Sequence, residues 1–197
     1  MLPGNFTLVS IRLGPFAPRT FLLGMLGALV AALLVIVAMA LLGEYTKARG
    51  QLLLTFLVLA PFCLSAIPPS ALLRRRRFQP LGWTGLVASG TGFILVATGI
   101  WGTPDADSYW KTAAIVSILS AFAFHASCLS LMTPVGTLAS QILRVAMATS
   151  ALAALLAVVG IIGEIHSGAH WWVVFLLLAV STAGSLGLLA VDRHLGP

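Results

Sequence analysis

Residues 21–43 read FLLGMLGALVAALLVIVAMALLG and contain no charged side chain. A helix rises about 1.5 Å per residue, so about twenty such residues cross the hydrocarbon core of a bilayer. Similar stretches follow at 51–73, 81–101, 112–132, 140–162 and 171–191. The sequence therefore predicts an all-α integral membrane protein, a bundle of six transmembrane helices in a single transmembrane domain over residues 21–192.

The composition excludes an ordinary soluble protein. Of the 197 residues, 59% are hydrophobic and 8% are charged, whereas a soluble domain carries about a quarter charged residues. The net charge of +6 comes from side chains at the ends of the apolar stretches, which favours a topology signal facing lipid headgroups over nucleic-acid binding. Cys63 and Cys128 fall inside apolar stretches, which favours buried small side chains over a disulfide framework.

The basic residues predict the orientation. Alternate sides of the six stretches hold eight and three Lys and Arg side chains, and the richer side is cytoplasmic. This side holds Arg12, Arg19, Arg74, Arg75, Arg76, Arg77, Arg144 and Arg193, and the other holds Lys47, Arg49 and Lys111. Both termini, an interfacial arm at 1–20 and a tail at 193–197, are then cytoplasmic, in the inner membrane of a bacterium. The RRRR run at 74–77 is predicted to orient the chain, and its alternative role is to bind anionic lipid.

The first apolar stretch is too long for a secretory signal, whose apolar region covers about 7 to 15 residues. It is interpreted as an uncleaved helix.

Three outer turns share a pattern when they are aligned on Gly43, Gly102 and Gly163, which are 59 and 61 residues apart. Each glycine follows an apolar helix and precedes a polar turn and a returning helix. This pattern is consistent with three repeated helical hairpins. Convergence is the alternative, because glycine commonly ends helices.

Small residues at helical spacing mark one face of the third helix. Gly85, Ser89, Gly92 and Gly99 would allow neighbouring backbones to approach closely, which is how helices associate in lipid. The pattern predicts a packing face and a central position for this helix.

Prolines interrupt the second helix at Pro61, Pro68 and Pro69. Because proline lacks an amide donor and clashes with the preceding turn, we expect a kink near Pro61 and a helix that loosens or ends near Ile67. The freed carbonyl groups make Pro61 a candidate for the wall of a solute path.

His125 is the one histidine deep within an apolar stretch, and Cys128 lies one turn further on. An ionisable side chain inside a membrane is a candidate functional group. It could ligate haem or a pigment, but the sequence offers no second deep histidine. We therefore expect no cofactor and a hydrogen bond from His125 to Ser120, Ser127 or a polar group of a neighbouring helix.

His166 and His170 are four residues apart beside the outer turn, a spacing that suits a metal on a helix. Ser167 and Gly168 between them favour a loop, so we treat both histidines as weak metal candidates and predict no metal site.

No catalytic pattern accompanies these residues. The six stretches contain no Asp or Glu, and the sequence has no nucleophile elbow, zinc-protease or phosphate-loop motif. The sequence thus favours a non-enzymatic structural or accessory subunit that contacts lipids and forms a homo-oligomer or a larger membrane complex. The alternatives are a small-solute carrier and a haem- or pigment-binding subunit that uses His125.

Overall fold

The computed structural model describes residues 18–42, 46–76, 78–132 and 136–195, with side-chain surroundings up to residue 188. Within these ranges the chain forms six helices: α1 (Pro18–Leu42), α2 (Lys47–Arg74), α3 (Gln79–Gly102), α4 (Asp107–Leu131), α5 (Thr137–Ile162) and α6 (Gly168–Leu195). All six are long and apolar enough to cross a membrane. This confirms the prediction of an all-helical chain with six apolar, membrane-length helices.

Some predicted features lie outside the described residues. These are most of the arm at 1–20, Gly43 of the first outer turn, and Arg77 of the arginine run. The tail predicted at 193–197 is helical as far as Leu195.

Every helix begins before its apolar stretch, and the largest difference is at α4, which begins at Asp107 rather than at 112. Hydropathy marks only the part of a helix that suits hydrocarbon, whereas polar first turns are stabilised by capping and by the helix dipole. At α2 the Thr46 hydroxyl accepts a hydrogen bond from the Arg49 amide at 3.4 Å. At α4 the Asp107 carboxylate lies in the positive first turn.

Helix α2 continues through its three prolines as far as Arg74. The prediction that it loosens or ends near Ile67 is therefore wrong. The Ser70 hydroxyl, just after the last proline, donates to the Ile67 carbonyl at 2.6 Å. Pro69 is fully buried against the small-residue face of α3, so tertiary packing keeps the segment helical despite the missing amide donors.

Consecutive helices are antiparallel. The Gln51 side chain at the start of α2 donates to the Ile100 carbonyl at the end of α3, at 2.9 Å, and Gly24 early in α1 faces Cys63 late in α2. We call the end of the bundle that carries Arg74, Arg75 and Arg76 the arginine end. The opposite end, which carries Asp105, Asp107 and Glu164, is the acidic end.

Helix α4 is shared by two groups of three helices. Helices α2, α3 and α4 all contact one another, α4 contacts α5, and α5 contacts α6. Helix α6 also reaches α4 through a hydrogen bond between Ser181 and His125, and α1 packs on α2. The prediction that α3 is the central helix is wrong, because its opposite face exposes Val87 and Ile94, while α2 and α4 extend the contacts to α1 and α5.

The small-residue face of α3 packs closely, as the sequence predicted. Gly85, Ser89, Gly92 and Gly99 are all buried. A Cβ atom added at Gly85 would lie 2.6 Å from Cγ of Pro69, and one at Gly92 would lie 2.5 Å from Cε1 of Phe62. Only glycine allows this approach of α2 to α3.

The turns at 103–106 and 163–167 are built alike. The Trp110 indole donates to the Pro104 carbonyl at 3.0 Å, and the Trp171 indole donates to the Ile165 carbonyl at 2.9 Å. Trp171 and Ile165 lie 61 residues after Trp110 and Pro104, which is also the separation between Gly102 and Gly163.

A second pair of contacts has the same spacing. The Tyr109 hydroxyl donates to the Leu95 carbonyl, and Nε2 of His170 lies 3.1 Å from the Leu156 carbonyl. In each turn the aromatic ring covers a buried glycine, Gly99 or Gly160. In both hairpins the returning helix therefore bonds to the turn through a tryptophan and to the preceding helix through the residue before it, Tyr109 or His170.

Candidate functional site

Three serine hydroxyls meet where α2, α3 and α4 cross. The Oγ atoms of Ser65 and Ser89 are 2.9 Å apart, those of Ser65 and Ser120 are 3.0 Å apart, and those of Ser89 and Ser120 are 2.9 Å apart. The Phe62 and Gly85 carbonyls also lie within hydrogen-bond reach. Three hydroxyls carry three protons, and each has an acceptor here. This serine triangle therefore satisfies itself without an outside partner.

His125 of α4 makes its hydrogen bond to α6. Its Nε2 lies 2.8 Å from Oγ of Ser181 and 3.4 Å from Oγ of Ser185. The single proton of Ser181 goes to the Ala146 carbonyl at 2.8 Å, and that of Ser185 goes to the Ser181 carbonyl at 2.9 Å. Both hydroxyls therefore face the imidazole as acceptors. We assign the ring proton to Nε2 on the basis of this arrangement, in which both serines donate to carbonyls, and Nδ1 is then an acceptor.

The histidine partner is a polar group of an adjoining helix rather than Ser120 or Ser127. Ser120 belongs to the serine triangle. Ser127 is fully buried, and among the described residues its hydroxyl is the one buried side-chain polar atom without a hydrogen-bond partner.

A cavity of about 300 Å³ lies between α4, α5 and α6. His125, Ser150 and Ser181 belong to its wall, and the remaining wall is mainly aliphatic and aromatic. Five residues of α4 between Ile118 and His125 line the cavity, a span of about 10 Å along a helix. The polar groups cluster toward the arginine end of this cavity, and apolar side chains surround the rest.

Ser150 presents an unused hydroxyl in this wall. It is only 4% exposed, yet its hydroxyl makes no hydrogen bond to the described part of the chain. A helical serine usually donates to the carbonyl four residues earlier, which here is Ala146. That carbonyl already accepts the hydroxyl of Ser181 at 2.8 Å. The Ser150 hydroxyl is thus left for a molecule inside the cavity.

Nδ1 of His125 is the second unused polar group. Within the described ranges the hydrogen bonds of this ring go through Nε2, and the ring lines the cavity. The site therefore combines one acceptor, Nδ1, with one hydroxyl that can donate or accept.

The other residues singled out from the sequence lie elsewhere. As far as the described residues extend, Pro61 and Cys128 do not belong to the cavity wall. Arg74, Arg75 and Arg76 are exposed at the arginine end, where phosphate headgroups would meet them.

The two histidines of the third turn have separate surroundings. His166 is in the turn, whereas His170 is in α6 and uses Nε2 for the Leu156 carbonyl. In the described ranges no three His, Cys, Asp or Glu side chains come together as metal ligands. The nearby carboxylates of Asp107 and Glu164 instead bind Lys111, which ties α4 to the third turn.

Sequence reasoning singled out His125 and Ser89 but did not connect Ser65, Ser150 or Ser181 to a site. A signal was present, because Ser89 and Ser150, like Ser120 and Ser181, are separated by the spacing of 61 found between Gly102 and Gly163.

Comparisons with family models, with curated proteins and with solved structures find no match to this chain.

Proposed function

We propose that this chain is a non-enzymatic membrane protein that binds a small, mainly apolar molecule between α4, α5 and α6. In this role it is the ligand-holding accessory subunit of a membrane assembly, and a small-solute carrier is the alternative. The observation that carries the proposal is a cavity of about 300 Å³ whose wall holds two polar groups without protein partners, His125 Nδ1 and the Ser150 hydroxyl.

The chemistry of the wall supports an apolar occupant. Small-molecule sites are mostly apolar, with a few polar groups that fix orientation, and this wall has that composition. No Asp, Glu, Lys or Arg belongs to the described wall, so an ion would enter without a counter-charge. A molecule already dissolved in lipid needs no such compensation.

Haem or pigment binding at His125 has less support. Nε2 is already engaged by Ser181. No second histidine belongs to the described wall, whereas a six-coordinate haem usually needs a second ligand. We expect the purified protein to be colourless, and a Soret band that disappears in His125→Leu would favour the cofactor instead.

The placement in the membrane is part of the proposal. Both termini lie in the cytoplasm, the chain is in the inner membrane of a bacterium, and the arginine end faces anionic headgroups. The hairpins α3–α4 and α5–α6 are proposed to be true repeats, which is supported by the two pairs of equivalent hydrogen bonds at their turns.

Association with a second copy or with another membrane protein is also proposed. Ala183 is exposed on α6, and a Cβ added at Gly187, one turn further, would lie within 4 Å of no atom in the described residues. Two small residues at this spacing suit close helix association in lipid. The mass of the protein in nanodiscs, compared between wild type and Gly187→Leu, tests this association.

Photolabelling tests the binding site. A decane that carries a diazirine is added to the protein in phosphatidylcholine nanodiscs, and labelled peptides are identified by mass spectrometry. We expect label in residues 118–125, 150–157 and 174–182, and at least a fivefold loss in Ala154→Phe, which fills the cavity. Leu155→Phe, at a neighbouring side chain that is 60% exposed, is the matched control. Equal cavity labelling in both variants would contradict the proposal.

A further inference from the structure

We infer that the cavity between α4, α5 and α6 is the opened counterpart of the closed serine triangle, and that its ligand is an apolar molecule with one hydroxyl group. The inference rests on the proposed binding function and names the class of molecule bound there. It comes from comparing residues that are 61 positions apart in the two groups of three helices.

The two sites use equivalent positions. Ser89 and Ser120 of the triangle correspond to Ser150 and Ser181 of the cavity wall, and all four are buried. The Gly85 carbonyl, which accepts from Ser89, corresponds to the Ala146 carbonyl, which accepts from Ser181.

The helix that precedes each hairpin supplies the third group. In the triangle α2 provides Ser65, 3.0 Å from Ser120. In the cavity α4 provides His125, 2.8 Å from Ser181. Both lie within hydrogen-bond distance of the serine of the last helix in their group. The residue 61 positions after Ser65 is Ala126, so the imidazole comes from the position next to the counterpart of the hydroxyl.

Two exchanges of large for small side chains lie on the α5 side of the open space. Phe93 of α3 packs edge-on against Phe62 of α2, with ring centroids 6.4 Å apart. Its counterpart in α5 is Ala154, and the counterpart of Val96 is Ala157. Both alanines line the cavity. The smaller side chains are therefore confined to α5, because Phe122 and Phe124 of α4 are larger than their counterparts Pro61 and Cys63.

The hydrogen-bond count indicates what the ligand supplies. In the triangle the Ser89 hydroxyl lies within hydrogen-bond distance of two other hydroxyls, whereas its counterpart Ser150 lies within that distance of no polar group in the described residues. His125 offers an acceptor at Nδ1, because Nε2 carries the proton. A single hydroxyl group on the ligand can donate to Nδ1 and accept from Ser150, which replaces the missing third hydroxyl.

The size of the cavity limits the rest of the molecule. A volume of about 300 Å³ corresponds to roughly two benzene rings, and the cavity is about 10 Å long over α4. A medium-chain alcohol or an alkylphenol fits these dimensions, with its hydroxyl toward the arginine end.

A competition experiment tests the hydroxyl. Unlabelled 1-decanol, its methyl ether and decane are each titrated against the diazirine decane in nanodiscs, and the concentration that halves cavity labelling is measured. We expect 1-decanol to compete about fivefold to tenfold better than either analogue, the effect of one or two hydrogen bonds in an apolar site. Ser150→Ala should reduce this advantage and leave competition by decane unchanged. Ser117→Ala, whose hydroxyl bonds to its own helix at Ala113, should match wild type.

The possible failures can be told apart. Equal competition by the three compounds, with labelling still lost in Ala154→Phe, would contradict the hydroxyl group on the ligand. It would leave the proposed binding in the cavity intact. Labelling that is unaffected by Ala154→Phe would remove the binding site, and the inference with it.

Discussion

A proline ring against a glycine sets the closest approach of α2 to α3. Because Pro69 is rigid and fully buried, a methyl group 2.6 Å from its Cγ atom forces the helices apart. We expect Gly85→Ala to lower the stability of the bundle by about 1–3 kcal/mol, the usual cost of overpacking. Gly90→Ala lies in the same helix with nothing within 4 Å of the added Cβ, so it should leave the thermal midpoint unchanged. Equal midpoints for the two variants would mean that this contact is not tight.

The hydrogen bond from His125 to Ser181 contributes more to the stability of the protein than the size of the histidine side chain does. His125→Gln keeps an N–H donor for Ser181, whereas His125→Leu keeps only apolar volume. We expect the leucine variant to be less stable than the glutamine variant by about 1 kcal/mol, the value of one hydrogen bond. Thermal midpoints in detergent measure this difference, and the reverse order would show that the ring acts by packing alone.

The sequence identified His125 because an ionisable side chain in an apolar helix is visible without a structure. Its partner was not visible, since Ser181 is 56 residues away and nothing local indicates that α6 returns beside α4. Ser150 was missed for another reason. A serine in an apolar helix usually bonds to its own backbone, and only the structure reveals that the Ala146 carbonyl is already occupied.

Among whole elements, the turns at the acidic end hold the hairpins together. Trp171 and Trp172 are adjacent, but only the first has an indole bond to the Ile165 carbonyl, while the second is 66% exposed. We expect Trp171→Phe to lower stability by about 1 kcal/mol and Trp172→Phe to have little effect. Unfolding midpoints of the two variants provide the measurement, and similar losses would indicate that both residues act as general membrane anchors.

The existence of the helices followed from composition, and their ends did not. An apolar stretch of about twenty residues with few or no charges is typical of a transmembrane helix. Hydropathy marks only the apolar part of a helix, so it does not detect a polar first turn such as the one at Asp107. For α2, the intrinsic effect of Pro68 and Pro69 pointed to a break, but packing against α3 outweighed it. Propensity is local, whereas the burial of Pro69 depends on the tertiary fold.

For the whole molecule, the alternation of six helices places Ala106 and Ser167 at one end and Gln79 and Gly136 at the other, all exposed. With Cys63 and Cys128 replaced by alanine, single cysteines at the first two positions should react with an impermeant maleimide added to intact cells. Cysteines at the last two should react only after lysis, because the arginine end is predicted to be cytoplasmic. Labelling of position 79 or 136 in intact cells would reverse the orientation.

The most direct test of the binding site is the nitrogen NMR spectrum of His125 in nanodiscs, with ring-labelled histidine and His125→Gln used for assignment. We expect a proton on Nε2, an unprotonated Nδ1, and an Nδ1 signal that shifts when 1-decanol is added but not when decane is added. A proton on Nδ1, or an Nδ1 signal that responds to neither compound or equally to both, would contradict it.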